Sequence, residues 1–216
     1  MIERAQPRAV MALVALLASW SGASLGASGT PVEIVGDKID ALQQLVDQHG
    51  DDYRRDPEQL YEVIDRVVVP AFNLDVISEA VTGKGWRSAT RDERDRFKAA
   101  FKRRLIVFYG AALLERAQRN QSGWKLSEID ALEGTARVRA QLPQKVGPPV
   151  SLQFDLRLDD DRRWLVCDMS VEGLGLVQNF RAQFGPVVKR DGLAALTSRL
   201  ETGAIPADTW KPPERR

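Results

Sequence analysis

TARVRAQL at residues 135–142 and VSLQFDLRL at residues 150–158 decide the fold. In the first, Ala136, Val138, Ala140 and Leu142 fall on one side and Thr135, Arg137, Arg139 and Gln141 on the other. In the second, Val150, Leu152, Phe154, Leu156 and Leu158 oppose Ser151, Gln153, Asp155 and Arg157. Strict alternation over this length is the period-two signature of a strand with one buried face. Asp159-Asp160-Asp161 reads as a turn, and Trp164–Met169 as the returning strand. Consecutive strands with short connections predict an antiparallel meander.

Outward from the strands the period changes. Roughly residues 37–120 read as helices, 124–176 as strands and 177–202 as helix again. Asp56-Pro57-Glu58-Gln59 supplies an acidic N-cap, proline at the first helical position and Gln at N3. Leu60, Ile64, Val67 and Val68 follow at helical spacing until Pro70 interrupts them. Asn73 caps a short helix that ends at Gly83, and Thr90-Arg91-Asp92-Glu93 is a second capping box. The long helix from Asp92 to about Gln118 starts amphipathic, with Phe97, Ala100 and Phe101 inward. It then becomes apolar on every side over Leu105–Leu114, which predicts an interior helix. Helices first and strands after give an α+β domain, with helices packed on one face of a curved antiparallel sheet.

The composition is that of a globular chain: 216 residues, 44% hydrophobic and 28% charged. With 31 basic against 30 acidic residues there is no basic excess, and nucleic acid is not an expected partner. One Cys and one His exclude multi-cysteine metal sites, disulfide frameworks and any centre needing two histidines. The first residues are laid out as a secretory leader: Arg4 and Arg8, then uncharged Ala9–Leu17, then small residues from Ser21 to Ser28. Cleavage is expected between Ala23 and Ser28. The uncharged core is short of the roughly 20 residues of a spanning helix, and no cysteine lies at the junction to carry lipid. The expected organisation is a signal peptide over 1–27, a single domain over 28–205 and a C-terminal tail over 206–216, with the mature chain exported.

Few residues invite catalytic chemistry. His49, beside Gly50-Asp51-Asp52, reads as a surface or capping side chain. Cys167 reads as a small buried hydrophobe on its strand. The basic run Lys98–Arg104 is a solvated helix face, or one that meets anionic lipid or an acidic partner. Asp159–Asp161 lacks the other oxygen ligands of a calcium loop. No metal site and no catalytic residue is expected; the one alternative is Asp168, a desolvated carboxylate acting as base in an isomerase or dehydratase. The helices, by contrast, supply many large inward apolar residues: Phe72, Leu74, Trp86, Phe97, Phe101, Leu105, Phe108 and Tyr109. Against a curved sheet these either fill a core or line a cavity for an apolar ligand, and the all-apolar helix favours the cavity.

Asp56-Pro57 with Leu60-Tyr61, Val69-Pro70-Ala71-Phe72, Gly83-Lys84-Gly85-Trp86-Arg87, the Thr90…Phe97…Phe101 helix and Tyr109 resemble the MlaC family, the toluene-tolerance auxiliary proteins. Trp164-Leu165-Val166-Cys167-Asp168 and the run from Val171 to Phe184 are similar to its second signature. The resemblance covers roughly residues 37–202. It implies a cone like that of nuclear transport factor 2 with added helices. It also implies a periplasmic carrier of glycerophospholipids working between an outer-membrane lipoprotein complex and an inner-membrane ABC transporter with an MCE-domain subunit. No cofactor is implied, only bound phospholipid as cargo.

On that resemblance Met169, Val171 and Leu176 join the eight residues above as cavity lining, and Arg87 and Arg181 are candidates for the head group. The sequence departs from the family at Gly175, often Ser; at Phe180 and Cys167, often Tyr; and at Asn73, often Asp. Gly185-Pro186 is expected to break a helix that the family continues. These departures leave room for a hopanoid or other polycyclic cargo.

Overall fold

The computed structural model describes residues 29–117, 123–144 and 147–204. The expected leader and C-terminal tail lie outside them, as do the side chains of residues 111–114 in the apolar run.

Helix α1 spans Pro31–Arg55 and begins earlier than its periodicity suggested. Its start is a reciprocal cap: the Glu33 amide donates to Thr30 Oγ1 at 3.3 Å and the Thr30 amide to Glu33 Oε2 at 2.7 Å. Helix α2, Pro57–Val67, starts on Asp56, whose carboxylate accepts from the Glu58 amide at 3.2 Å. Gln59 turns its amide to that carboxylate at 3.1 Å instead of closing a full capping box. A single 3-10 turn at Val69–Ala71 absorbs Pro70. Helix α3, Leu74–Thr82, is capped by Asn73 (Val76 N–H to Oδ1, 3.1 Å) and stops at Gly83, where φ is +58°. A short helix α4, Lys84–Ser88, precedes α5, Arg91–Ala117, which opens on the expected Thr90–Glu93 box.

Five strands follow in sequence order, each antiparallel to the next: β1 Lys125–Leu132, β2 Thr135–Leu142, β3 Val150–Leu158, β4 Trp164–Val171 and β5 Leu174–Gly175. The α+β class and antiparallel sheet read from the sequence are the observed ones. Helix α6, Leu176–Glu201, closes the chain. The expected break at Gly185-Pro186 is corrected: α6 runs through Pro186 and is interrupted at Gly192, where φ is +82°. Proline removes one amide but its fixed φ is already helical, whereas a positive φ ends the helical path outright.

The register slips at two places. In β3–β4, Leu156 pairs with Val166 but Asp155 pairs with Asp168, so Cys167 is an inserted residue. Such a bulge bends the strand and switches which side chains share a face. Without it Val166 and Asp168 would point the same way. With it Met169 rejoins Val166 on the inner face, and Asp168 moves to the outer one beside Asp155.

Among the described residues, three buried clusters hold the fold. The inner sheet face (Val138, Ala140, Phe154, Leu156, Val166) packs on Val35 of α1. Helices α1, α2 and α5 meet through Val46, Tyr53, Leu60, Ile64 and Ile106. Helices α3 to α6 enclose a third core in which Phe97, Phe101, Phe180 and Phe184 contact one another with ring centroids 5.1–6.3 Å apart. At 71–73 the chain passes from helix to sheet: Phe72 bridges Val166 in parallel, and the Asn73 amide donates to the Val166 carbonyl at 2.9 Å. No helix among the described residues is long and apolar enough to cross a membrane.

Candidate functional site

The three clusters do not close on one another. Where they meet lies a cavity of about 250 Å³. One wall is the inner sheet face, with Leu152, Phe154, Val166 and Met169. A second is α1, whose Ile34, Val35, Lys38, Ile39, Leu42 and Gln43 form one helical stripe. Leu105, Ile106 and Tyr109 of α5, Ile64 of α2 and the Val68–Leu74 segment complete it, with Ile77, Trp124 and Leu176 at its margins. Among the described residues, only Lys38, Gln43, Lys102, Tyr109 and Trp124 bring a side-chain nitrogen or oxygen to this lining. The charged groups among them are the two lysines, both half-buried.

Of the lining expected from sequence, the structure brings Phe72, Leu74, Leu105, Tyr109, Met169 and Leu176 to the cavity. Trp86, Phe97 and Phe101 lie elsewhere, and that placement is corrected. Phe97 and Phe101 are fully buried between α5 and α6, and Trp86 packs edge-on against Phe97 at 6.4 Å. The reason is geometric. A stripe recurring every four residues winds by about 40° per step on a helix of 3.6 residues per turn. From Phe97 to Tyr109 it therefore turns from α6 toward the cavity. Phe108 lies off the lining with its ring against Tyr109 at 5.1 Å, and Val171, the last residue of β4, pairs with Leu152 and Leu174 but is not itself on the lining. The apolar half of α5 is not fully interior either: Ile106 and Gly110 are buried, while Val107 and Phe108 are half-buried.

Neither arginine expected at a head group lies on the lining. Arg87 is an exposed partner of Glu79 at 3.3 Å, and Arg181 is an exposed residue of α6. The basic run on α5 is largely paired: Lys98 with Asp75 at 2.9 Å and Asp95 at 3.0 Å, Lys102 with Asp65 at 2.8 Å, Arg103 with Glu58 at 2.5 Å. What sequence reasoning missed is the α1 wall and its Lys38, although the spacing of Ile34, Val35, Ile39 and Leu42 carries the helical period that marks them.

Tyr109 is a half-buried polar group of the α5 wall. Burial, and secondarily the charge of Asp168, holds its hydroxyl protonated far above the usual tyrosine range. Asp168 itself is not on the cavity. Asp130, Arg137, Asp155 and Asp168 are register partners across β1–β4, one row on the outer face. There Asp168 joins a separate polar recess of about 370 Å³ with Arg137, Asp155 and Arg157. Burial raises its pKa, the amides of Val177 and Met169 pull it down, and nearby Asp155 raises it again. Cys167, buried at the bulge, has its thiol pushed up by desolvation and is a poor nucleophile in that state. His49 is an exposed side chain 3.9 Å from Asp52.

The site is thus an apolar hollow bordered by a sheet and helices. Residues 37–202 match the family model described as MlaC protein, and the chain belongs to that family. It is 30% identical over 185 residues to the toluene tolerance protein ttg2D of Pseudomonas putida, covering 83% of this chain and 82% of that one. It is 21% identical over 181 residues to the intermembrane phospholipid transport system binding protein MlaC of Haemophilus influenzae, covering 82% and 84%. A solved structure of a phospholipid-binding protein from Ralstonia solanacearum, in complex with a phospholipid, superposes with a TM-score of 0.69 at 22% identity. It covers 81% of this chain and 96% of that chain, and so shares the fold.

Proposed function

We propose that this protein carries glycerophospholipids through the periplasm, its leader removed on export, between an outer-membrane lipoprotein complex and an inner-membrane ABC transporter with an MCE-domain subunit. The observation that carries the reading is the hollow itself, walled by aliphatic and aromatic side chains where three cores fail to meet. Membership of the MlaC family and the phospholipid named for the Ralstonia protein support it.

The physical need is large. Exposing acyl chain to water costs about 0.8 kcal/mol per CH₂. A sixteen-carbon chain therefore opposes transfer by roughly 12 kcal/mol, and a second chain doubles the barrier. A carbon-lined cavity removes most of that cost without directional contacts, so chains of different length are accepted. The cavity of about 250 Å³ falls short of the roughly 300–1,000 Å³ that encloses a drug-sized ligand.

Organic extraction of the purified protein followed by mass spectrometry tests the reading. Glycerophospholipid at near-stoichiometric yield is expected. Protein that never carries lipid overturns it, and a polycyclic triterpenoid in the extract replaces the cargo but keeps the carrier.

A further inference from the structure

We infer that Lys38 is the contact point for the phosphodiester of the cargo, an inference that rests on the carrier reading above. Three flexible polar side chains mark the cavity lining on α1 and α5: Lys38, Gln43 and Lys102. Two are already engaged. Gln43 donates to Asp47 at 2.8 Å, and Lys102 pairs with Asp65 at 2.8 Å. Lys38 is half-buried and makes no ion pair or hydrogen bond with any described residue, although Asp37 and Asp40 flank it in sequence.

A lysine lays its aliphatic stem along apolar surface and holds its ammonium at the boundary with water. Lys38 is set for that, with Val35, Ile39 and Leu42 beside it on the same wall. A hydrocarbon tail drawn into the hollow leaves its phosphate at that boundary. There a charge with no carboxylate to neutralise it meets the one anionic group that every glycerophospholipid carries. The apolar wall takes the tail whatever its head, and Lys38 separates phosphate-bearing lipids from neutral ones with the same chains. The interaction is a point-charge contact, with no planar fork of donors to select one head group over another.

The test uses the delipidated protein, vesicles doped with fluorescent phosphatidylglycerol or with diacylglycerol of identical chains, and three forms: wild type, Lys38→Met and Lys38→Arg. Methionine keeps a similar unbranched stem and removes the charge. Wild type is expected to take up both lipids and to prefer phosphatidylglycerol. Lys38→Met should lose about tenfold in affinity for phosphatidylglycerol, the scale of one charge-assisted hydrogen bond, with a clearly smaller change for diacylglycerol, and Lys38→Arg should restore the preference. Inorganic phosphate at tens of millimolar should not displace the bound lipid. Equal loss for both lipids makes Lys38 a packing residue and overturns the inference, as does an unchanged preference in Lys38→Met. Displacement by inorganic phosphate assigns the lysine to the free anion and likewise overturns it. A wild type that takes up neither lipid defeats the carrier reading as well, which separates the two failures.

Discussion

The amide of Val177, in the first turn of α6, donates to the carboxylate of Asp168 on β4 at 3.1 Å. The N-cap position before the helix is Gly175, which has no side chain to cap it, and a strand residue supplies the missing acceptor across the β4–β5 turn. The same oxygen accepts from the Met169 amide at 2.8 Å.

Asp168→Ala should therefore destabilise the protein by about 1–2 kcal/mol, the range of a lost helix cap, seen as a lower denaturation midpoint. Asp168→Asn keeps an acceptor and gives the pH test. Burial raises the Asp168 pKa, so the folded state holds its proton more tightly than the unfolded chain does. The native contribution of the acid is thus greatest below the ordinary carboxylate value and declines as pH rises through the raised one. The melting temperature of wild type minus that of Asp168→Asn should fall between pH 3 and pH 7. A difference that rises over that interval contradicts the placement.

Leu105→Arg and Phe101→Ala should separate cargo from stability. Leu105 lines the hollow and Phe101 is fully buried against Phe180 and Phe184. A charged side chain at 105 is expected to yield folded protein without co-purifying lipid. Truncation at 101 should cost about 3–5 kcal/mol, roughly a 10 °C fall in Tm for a chain of this size, while the folded fraction still extracts with lipid. Lipid retained in Leu105→Arg would place the cargo elsewhere.

Gly110→Ala tests the approach of α5 to α2. A Cβ there would meet Tyr61 Cε1 at 2.9 Å and Ile64 Cδ1 at 3.2 Å. Overpacking of about 1–3 kcal/mol should outweigh the gain of about 1 kcal/mol in helix propensity. Urea denaturation should show a net loss of stability.

Within α6 two glycines should respond with opposite sign. A methyl group on Gly185 would meet nothing within 4 Å apart from its chain neighbours, but the Pro186 ring crowds a Cβ on the residue before it. Gly185→Ala should therefore stabilise, by less than the figure of about 0.5–1 kcal/mol for an unhindered helix site. Gly192 adopts φ +82°, and Gly192→Ala should destabilise by about 1 kcal/mol or more. Thermal melts of the two variants check both signs.

The strands β2 and β3 were legible because each alternates without exception, and the helix starts were legible because Asn73 and the Thr90–Glu93 pair are local signals. Strand β1 was not separately legible: nearly every residue of Lys125–Leu132 is exposed, so no apolar face announces it. The side of the sheet on which Asp168 falls depends on the Cys167 bulge, a long-range pairing that no local pattern encodes. Core and cavity were hardest to separate. Phe101 and Leu105 stand one helical turn apart with the same apolar character, yet Phe101 is fully buried in the α5–α6 core while Leu105, at the edge of that core, also borders the cavity. Only the arrangement of neighbouring elements distinguishes them.

Because sheet, α1–α2–α5 and α3–α6 cores all border one void, whatever occupies it acts as a keystone shared by the whole domain. Emptying it removes van der Waals partners from every layer at once. An unoccupied void therefore leaves side chains of all three layers short of packing partners at one place.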